Sequence, residues 1–143
     1  MMTIVETTVR APIETVWQYW TAPEHITHWA FASDDWEVPE AANDLQEGGT
    51  FLTRMQAKDG STGFDFTGTY TLVSPPERIE YDMSDGRHAV IEFRTVPEGT
   101  LVTESFDPEH ENSDEKQRAG WQAILENFRA YTESQVEPTG IWT

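Results

Sequence analysis

The sequence predicts an α+β domain in which a curved antiparallel sheet of about six strands wraps a long C-terminal helix, with two short helices after the first strand. Three observations predict it. Residues 50–106 hold aromatic and β-branched segments separated by short turns, the mark of antiparallel neighbours. Residues 113–136 carry one apolar stripe at helical spacing, and two helix starts follow each other between residues 12 and 24.

Taken in order, Thr3 to Arg10 is rich in Thr, Val and Ile and stops at Ala11-Pro12, which reads as a strand. Pro12 is expected at the first helical position, and Ile13, Val16, Trp17 and Trp20 form one stripe behind it. Thr21-Ala22-Pro23-Glu24 opens a second, short helix carrying Ile26 and Trp29. From Phe31 to Gly49, Asp34-Asp35, Pro39, Asn43-Asp44 and Gly48-Gly49 break the pattern, leaving room for a short strand near Trp36 to Val38 in an irregular connection.

Beyond it the turns become regular, at Asp59-Gly60, Ser74-Pro75-Pro76, Asp85-Gly86 and Glu98-Gly99. In Gly63 to Val73, Phe64, Phe66, Gly68, Tyr70 and Leu72 share one face and Asp65, Thr67, Thr69 and Thr71 the other. The same alternation places Phe51, Thr53 and Met55 together, then Ile79, Tyr81 and Met83, then Ala89, Ile91 and Phe93. The last strand, Leu101 to Phe106, has apolar groups on both faces and leaves its orientation open. Asn112 with Glu115 suggests a capping box for the terminal helix, whose stripe is Trp121, Ile124, Leu125, Phe128 and Tyr131. Pro138 and Gly140 are expected to stop it.

Length and charge exclude several classes. The 143 residues suffice for one core, so residues 1–143 read as a single domain. With 26 acidic against 9 basic side chains, a net charge of -17 and no basic cluster, the chain is not expected to bind nucleic acid or an anionic membrane. It has no cysteine, no signal-peptide pattern and no apolar run of spanning length, so the cytoplasm is the expected location.

Motifs for chemistry are sparse. Gly60-Ser61-Thr62-Gly63 has the wrong spacing for a nucleophile elbow, and Gly48-Gly49-Thr50 lacks the Lys of a phosphate loop. His25 and His28 lie three apart beside Glu24, a spacing that suits two metal ligands but equally two surface histidines, and His110 sits in an acidic turn without calcium-loop spacing. Asp34-Asp35 has no evident means of raising a carboxyl pKa. No metal, no cofactor and no catalytic residue is therefore assigned.

A curved sheet around a straight helix leaves space beside the helix, filled either by side chains or by a ligand. The predicted faces direct Trp29, Phe31, Met55, Phe66, Tyr70, Tyr81, Phe93, Trp121, Leu125 and Phe128 toward it, and these are the candidate ligand-binding residues. Tyr70, Tyr81, Thr53 and Thr95 would bring hydroxyls for orientation or for bonds to backbone and water. Gly120 costs about 1 kcal/mol inside a helix relative to Ala, which points to a gap at a cavity mouth or, with more weight, to a close contact.

Ala11-Pro12 with Val16-Trp17, Pro23-Glu24 followed by Trp29, Gly48-Gly49 before Phe51, Gly68-Thr69-Tyr70, Pro75-Pro76-Glu77-Arg78 and Gly120-Trp121 together resemble the START-like, helix-grip superfamily (SRPBCC). Within it, the chain is similar to the C-terminal domain of the activator of the 90-kDa heat-shock protein ATPase, over nearly its whole length. The resemblance implies a helix-grip fold with a hydrophobic cavity, in a family many of whose members have no assigned reaction; with the space beside the helix, the expected function is binding of a small, mostly apolar ligand. Its alternatives are a co-chaperone-like module that engages the chaperone, or a polyketide cyclase/dehydratase-like enzyme, which needs an ionisable group inside the cavity. The activator's further N-terminal domain, with its Asn- and Trp-rich signature, has no counterpart in these residues beyond the fragment Thr27-His28-Trp29. Ile141-Trp142 would cap the chain's own body or meet a second copy, which makes a homodimer one expectation.

Overall fold

The computed structural model describes residues 2–136; Pro138, Gly140, Ile141 and Trp142 lie outside the described residues. The elements run β1 (Thr3–Val9), α1 (Ile13–Thr21), α2 (Pro23–Ile26), β2 (Trp36–Asn43), β3 (Thr50–Ala57), β4 (Gly63–Ser74), β5 (Arg78–Met83), β6 (His88–Val96), β7 (Gly99–Phe106) and α3 (Asp114–Gln135). All seven strands form one antiparallel sheet in the order β1-β7-β6-β5-β4-β3-β2. The order of elements and the α+β helix-grip class are as the sequence predicts, with one strand more than the expected six.

The extra strand order comes from β2, which covers eight residues rather than a short piece near Trp36. Pro39 sits where the β2–β3 register shifts between Glu37 and Glu40, on an edge strand. A residue without an N–H is tolerated at a bulge on an edge, so the proline does not end the strand. A second irregularity corrects β4: between Tyr70 and Leu72 the register slips, Leu72 pairs with Glu80 and Val73 with Ile79. Past this bulge Val73, not Leu72, joins the core beside the buried Ile79.

Strand β7 resolves its open orientation. Thr100, Val102, Glu104 and Phe106 are buried, while Leu101, Thr103 and Ser105 are only half-buried. Thr95, near the end of β6, is exposed, which corrects its inward placement.

Two helix starts also differ in detail. Pro12 is the N-cap of α1, in extended conformation, and the proline at the first helical turn is Pro23 of α2. The N-cap of α3 is Ser113, whose Oγ accepts from the backbone N–H of Lys116 at 3.1 Å; Asn112 lies one residue outside, so no Asn112–Glu115 capping box forms.

The 22 residues of α3 span about 33 Å at 1.5 Å per residue. The helix leans on one edge of the sheet, packing chiefly on β1 and also meeting α1. Gln122 Nε2 donates to the Glu6 carbonyl at 3.1 Å, and Asn127 Nδ2 donates to the Trp29 carbonyl at 2.9 Å, tying α3 to β1 and to the segment after α2. Trp20, Trp29 and Phe128 pack with each pair of ring centroids 4.8 Å apart, and Trp17 meets Phe93 edge-on at 5.5 Å. This aromatic knot fills the space under α1 and leaves the inner faces of β3, β4 and β5 without a helix directly over them.

Candidate functional site

That uncovered region holds a cavity of about 330 Å³. The curled sheet forms most of its wall: Phe51, Thr53 and Met55 from β3, Phe64, Phe66 and Tyr70 from β4, Ile79 and Tyr81 from β5, and Glu104 from β7. The helical side brings Trp20, Ile26, Trp29 and Ala30 from the α1–α2 region and Trp121 and Ile124 from α3. Ala42 and Asn43 of β2, Arg87 of the β5–β6 turn and Glu109 before α3 complete it. Its size falls within the range of small-molecule sites, and its lining is mostly apolar with a few polar groups.

Six of the ten candidate residues meet at the cavity: Trp29, Met55, Phe66, Tyr70, Tyr81 and Trp121. The other four do not line it. Phe93, Leu125 and Phe128 are buried in the packed core, and Phe31 packs against that core from its margin. Phe128 instead joins Trp20 and Trp29 in the aromatic knot, and α3 packs chiefly on β1 rather than over β3–β5. Trp121 keeps its place by stacking on Phe106, centroids 3.9 Å apart.

Local packing sets the aromatic wall. Gly68 on β4 faces Phe51 across the β3–β4 pair, and a Cβ on Gly68 would lie 2.7 Å from the Phe51 ring. The missing side chain lets the ring lie flat over the strand, where it also contacts Tyr70 at 5.3 Å and Tyr81 at 4.9 Å. At Gly120 a Cβ would meet nothing within 4 Å, and this residue does not line the cavity, so neither close contact nor a gap at the mouth explains it.

The polar groups divide into committed and uncommitted ones. Tyr70 Oη donates to Asn43 Oδ1 at 2.6 Å, while Asn43 Nδ2 donates to the Thr21 carbonyl at 2.6 Å. Arg87 donates from Nε to Asp85 at 2.8 Å and from Nη1 to the Asp107 carbonyl at 3.3 Å, and Glu109 Oε1 accepts from Asn112. By contrast Thr53, Tyr81 and Glu104 make no side-chain hydrogen bond to any described group, although all three are buried.

Glu104 is the residue that sequence reasoning missed. It is 6% exposed, and burial without a partner pushes its carboxyl up to about 8. At neutral pH it is therefore largely a protonated acid. Tyr81 is held far above its ordinary value, first by burial and then by the nearby Glu104. The signal was present: Glu104 lies between Val102 and Phe106 at a spacing of two, so a strand turning those two inward turns the glutamate inward as well.

The histidines serve other ends. His25 Nδ1 is 2.7 Å from Tyr131 Oη with its ring stacked on Tyr19, and His28 stacks on Tyr131. Among the described residues, no group of three or more His, Asp or Glu is placed to hold a metal ion, and no helix is long and apolar enough to cross a membrane.

With this geometry in hand, comparison with known proteins gives a consistent picture. The family model described as Activator of Hsp90 ATPase homolog 1-like protein matches residues 10–133. The solution structure of an AHSA1-like protein from Aeromonas hydrophila is similar at 45% identity and a TM-score of 0.89, over 94% of this chain and 93% of that one. A solved protein of Cytophaga hutchinsonii shares 52% identity at a TM-score of 0.81, over 93% and 92% of the two chains. A Nitrosomonas europaea protein at 22% identity and a TM-score of 0.77 shares the fold, over 94% and 96% of the two chains. No curated protein matches the chain. The matched span, the helix-grip architecture and these relatives agree that the chain belongs to the Activator of Hsp90 ATPase homolog 1-like family.

Proposed function

We propose that the protein binds a small, mostly apolar molecule in the cavity between its sheet and α3. The observation that carries this reading is the cavity itself, about 330 Å³ of space walled by Trp20, Phe51, Phe66, Tyr81 and Trp121, next to a packed core. Interiors are normally filled to crystal-like density, so an apolar void of this size forgoes packing energy that a ligand restores. Native mass spectrometry of the purified protein tests it: a discrete added mass that disappears on denaturation is expected. A bare protein whose cavity-lining methyl and indole signals do not move with any of a panel of apolar molecules refutes it. The proposal places this activity in the cytoplasm, with neither nucleic acid nor membrane as partner, in keeping with the charge of -17.

Glu104 favours a second reading. A cyclase- or dehydratase-like enzyme needs an ionisable group inside the cavity, and a carboxyl raised to about 8 stands there with a proton to give at neutral pH. Turnover of an added polyketide-type substrate, abolished in Glu104→Gln, would support it; no turnover across such substrates would refute it. For a co-chaperone role, the family name is the support, and stimulation of the chaperone's ATPase is the corresponding assay.

A further inference from the structure

Within the cavity, Tyr81 and Glu104 line the wall from the two strands that flank β6. Tyr81 on β5 lies opposite Ala89 on β6, and Ala89 lies opposite Phe106 on β7, with Glu104 the next inward residue along that strand. Ala89 of β6 contributes only a methyl group beside Tyr81, while Ile91, the β6 residue directly opposite Glu104, stands beside the carboxyl, so the two long side chains reach the same cavity from either side of β6. Both side chains line the cavity, and neither is hydrogen-bonded to a described group. The third uncommitted group, Thr53, is on β3, four strands from β7.

Polar groups that face an apolar cavity without a protein partner take their partner from what enters it, and a cavity walled by two such groups is shaped for a ligand that supplies it. We infer that Tyr81 and Glu104 are a paired hydrogen-bond donor site for the carbonyl oxygen of an otherwise apolar ligand, an aryl or alkyl ketone in chemical class. This rests on the cavity-binding reading above and specifies it.

The alternatives are weaker on the same geometry. An ammonium ligand would meet the Arg87 guanidinium on the same wall, which is unfavourable to a cation. A carboxylate ligand would have to enter beside Glu109, and Arg87 is already engaged by Asp85 and the Asp107 carbonyl. A neutral acceptor suits two neutral donors. Burial keeps the Glu104 proton in place at neutral pH, and burial likewise keeps the Tyr81 phenol protonated. A tyrosine beside a neutral carboxylic acid is a known way to hold a carbonyl oxygen in an apolar site.

The test uses three probes of nearly one shape: 2-acetylnaphthalene, 2-ethylnaphthalene and 2-naphthoate. The wild-type protein is expected to bind the ketone about tenfold more tightly than the hydrocarbon, the effect of one well-made hydrogen bond. The bound ketone should show a lowered C=O stretching frequency. In Glu104→Leu the preference for the ketone falls to about unity while the hydrocarbon still binds, and Tyr81→Phe lowers the preference partway. Glu104→Gln, which keeps an N–H donor at the same reach, restores part of it. Equal binding of ketone and hydrocarbon by the wild-type protein, an unshifted C=O stretch, or tighter binding of 2-naphthoate overturns the donor pair while leaving cavity binding intact. Failure of all three probes to bind, with no copurifying molecule, removes the cavity reading and the donor pair with it.

Discussion

Glutamate 104 should make this protein less stable as the pH rises, in a way a single substitution removes. Its carboxyl titrates near 8 in the folded chain against 4.5 when unfolded, because the sheet buries it and gives it no partner. Between those values the folded state holds the proton and the unfolded state does not, so stability falls as pH rises through that window. At 1.36 kcal/mol per unit the full span is worth at most about 5 kcal/mol, of which about 3 kcal/mol falls between pH 5.5 and pH 8. Glu104→Gln keeps the shape and cannot ionise, so its stability curve should lack this contribution. Urea unfolding of both proteins at several pH values provides the difference, in which shared titrations cancel. His88 is one of these: hydrogen bonds to Asp82 and then Glu80 raise its pKa, so its stabilisation is present below its unfolded value and lost as pH climbs past the folded one. The two proteins should match near pH 5, and Glu104→Gln should be the more stable above pH 8. A stability difference that stays constant from pH 5.5 to 8 would refute a buried, unpartnered carboxyl.

Four further substitutions probe the frame around the site. Gly120→Ala adds a methyl group into open space in mid-helix and should stabilise by about 1 kcal/mol, seen as a higher melting temperature. Ser113→Ala removes the N-cap bond to Lys116 and should cost about 1 kcal/mol in the same assay. Thr132 is fully buried with an Oγ1 that has no partner among the described residues, so Thr132→Val should be neutral or stabilising by up to about 1 kcal/mol in urea unfolding. Gly68→Ala should destabilise by about 2 kcal/mol, because its methyl group meets the Asp82 carbonyl at 2.6 Å and the Phe51 ring at 2.7 Å. Phe51 ring shifts in an NMR spectrum would report the displaced cavity wall.

The elements that sequence shows most clearly are those where periodicity alone decides. Alternation in β3, β5 and β6 placed Met55, Tyr81 and Phe93 on the inner face, and the stripe of α3 is the buried side of that helix. What was not legible depends on distant packing or on local bulges. Pro39 argued against the strand that a bulge and an edge position permit, and the slip after Tyr70 exchanged Leu72 for Val73. Phe93, Leu125 and Phe128 read as lining residues because periodicity gives a face and not the angle at which α3 crosses the sheet. Glu104 was hidden for a different reason. Strand β7 has apolar groups on both faces, and only its pairing with β1 and β6 decides which face carries the glutamate inward.

The lean of α3 toward β1 has a consequence for how such a protein diversifies. The helix and the aromatic knot anchor one half of the molecule, whereas Thr53, Met55 and Phe66 project from strands that no helix presses upon. Side chains there border the cavity, so exchanging them reshapes it while the aromatic knot stays in place. One half anchors the helices, and the other sets the shape of the space and the guests it admits.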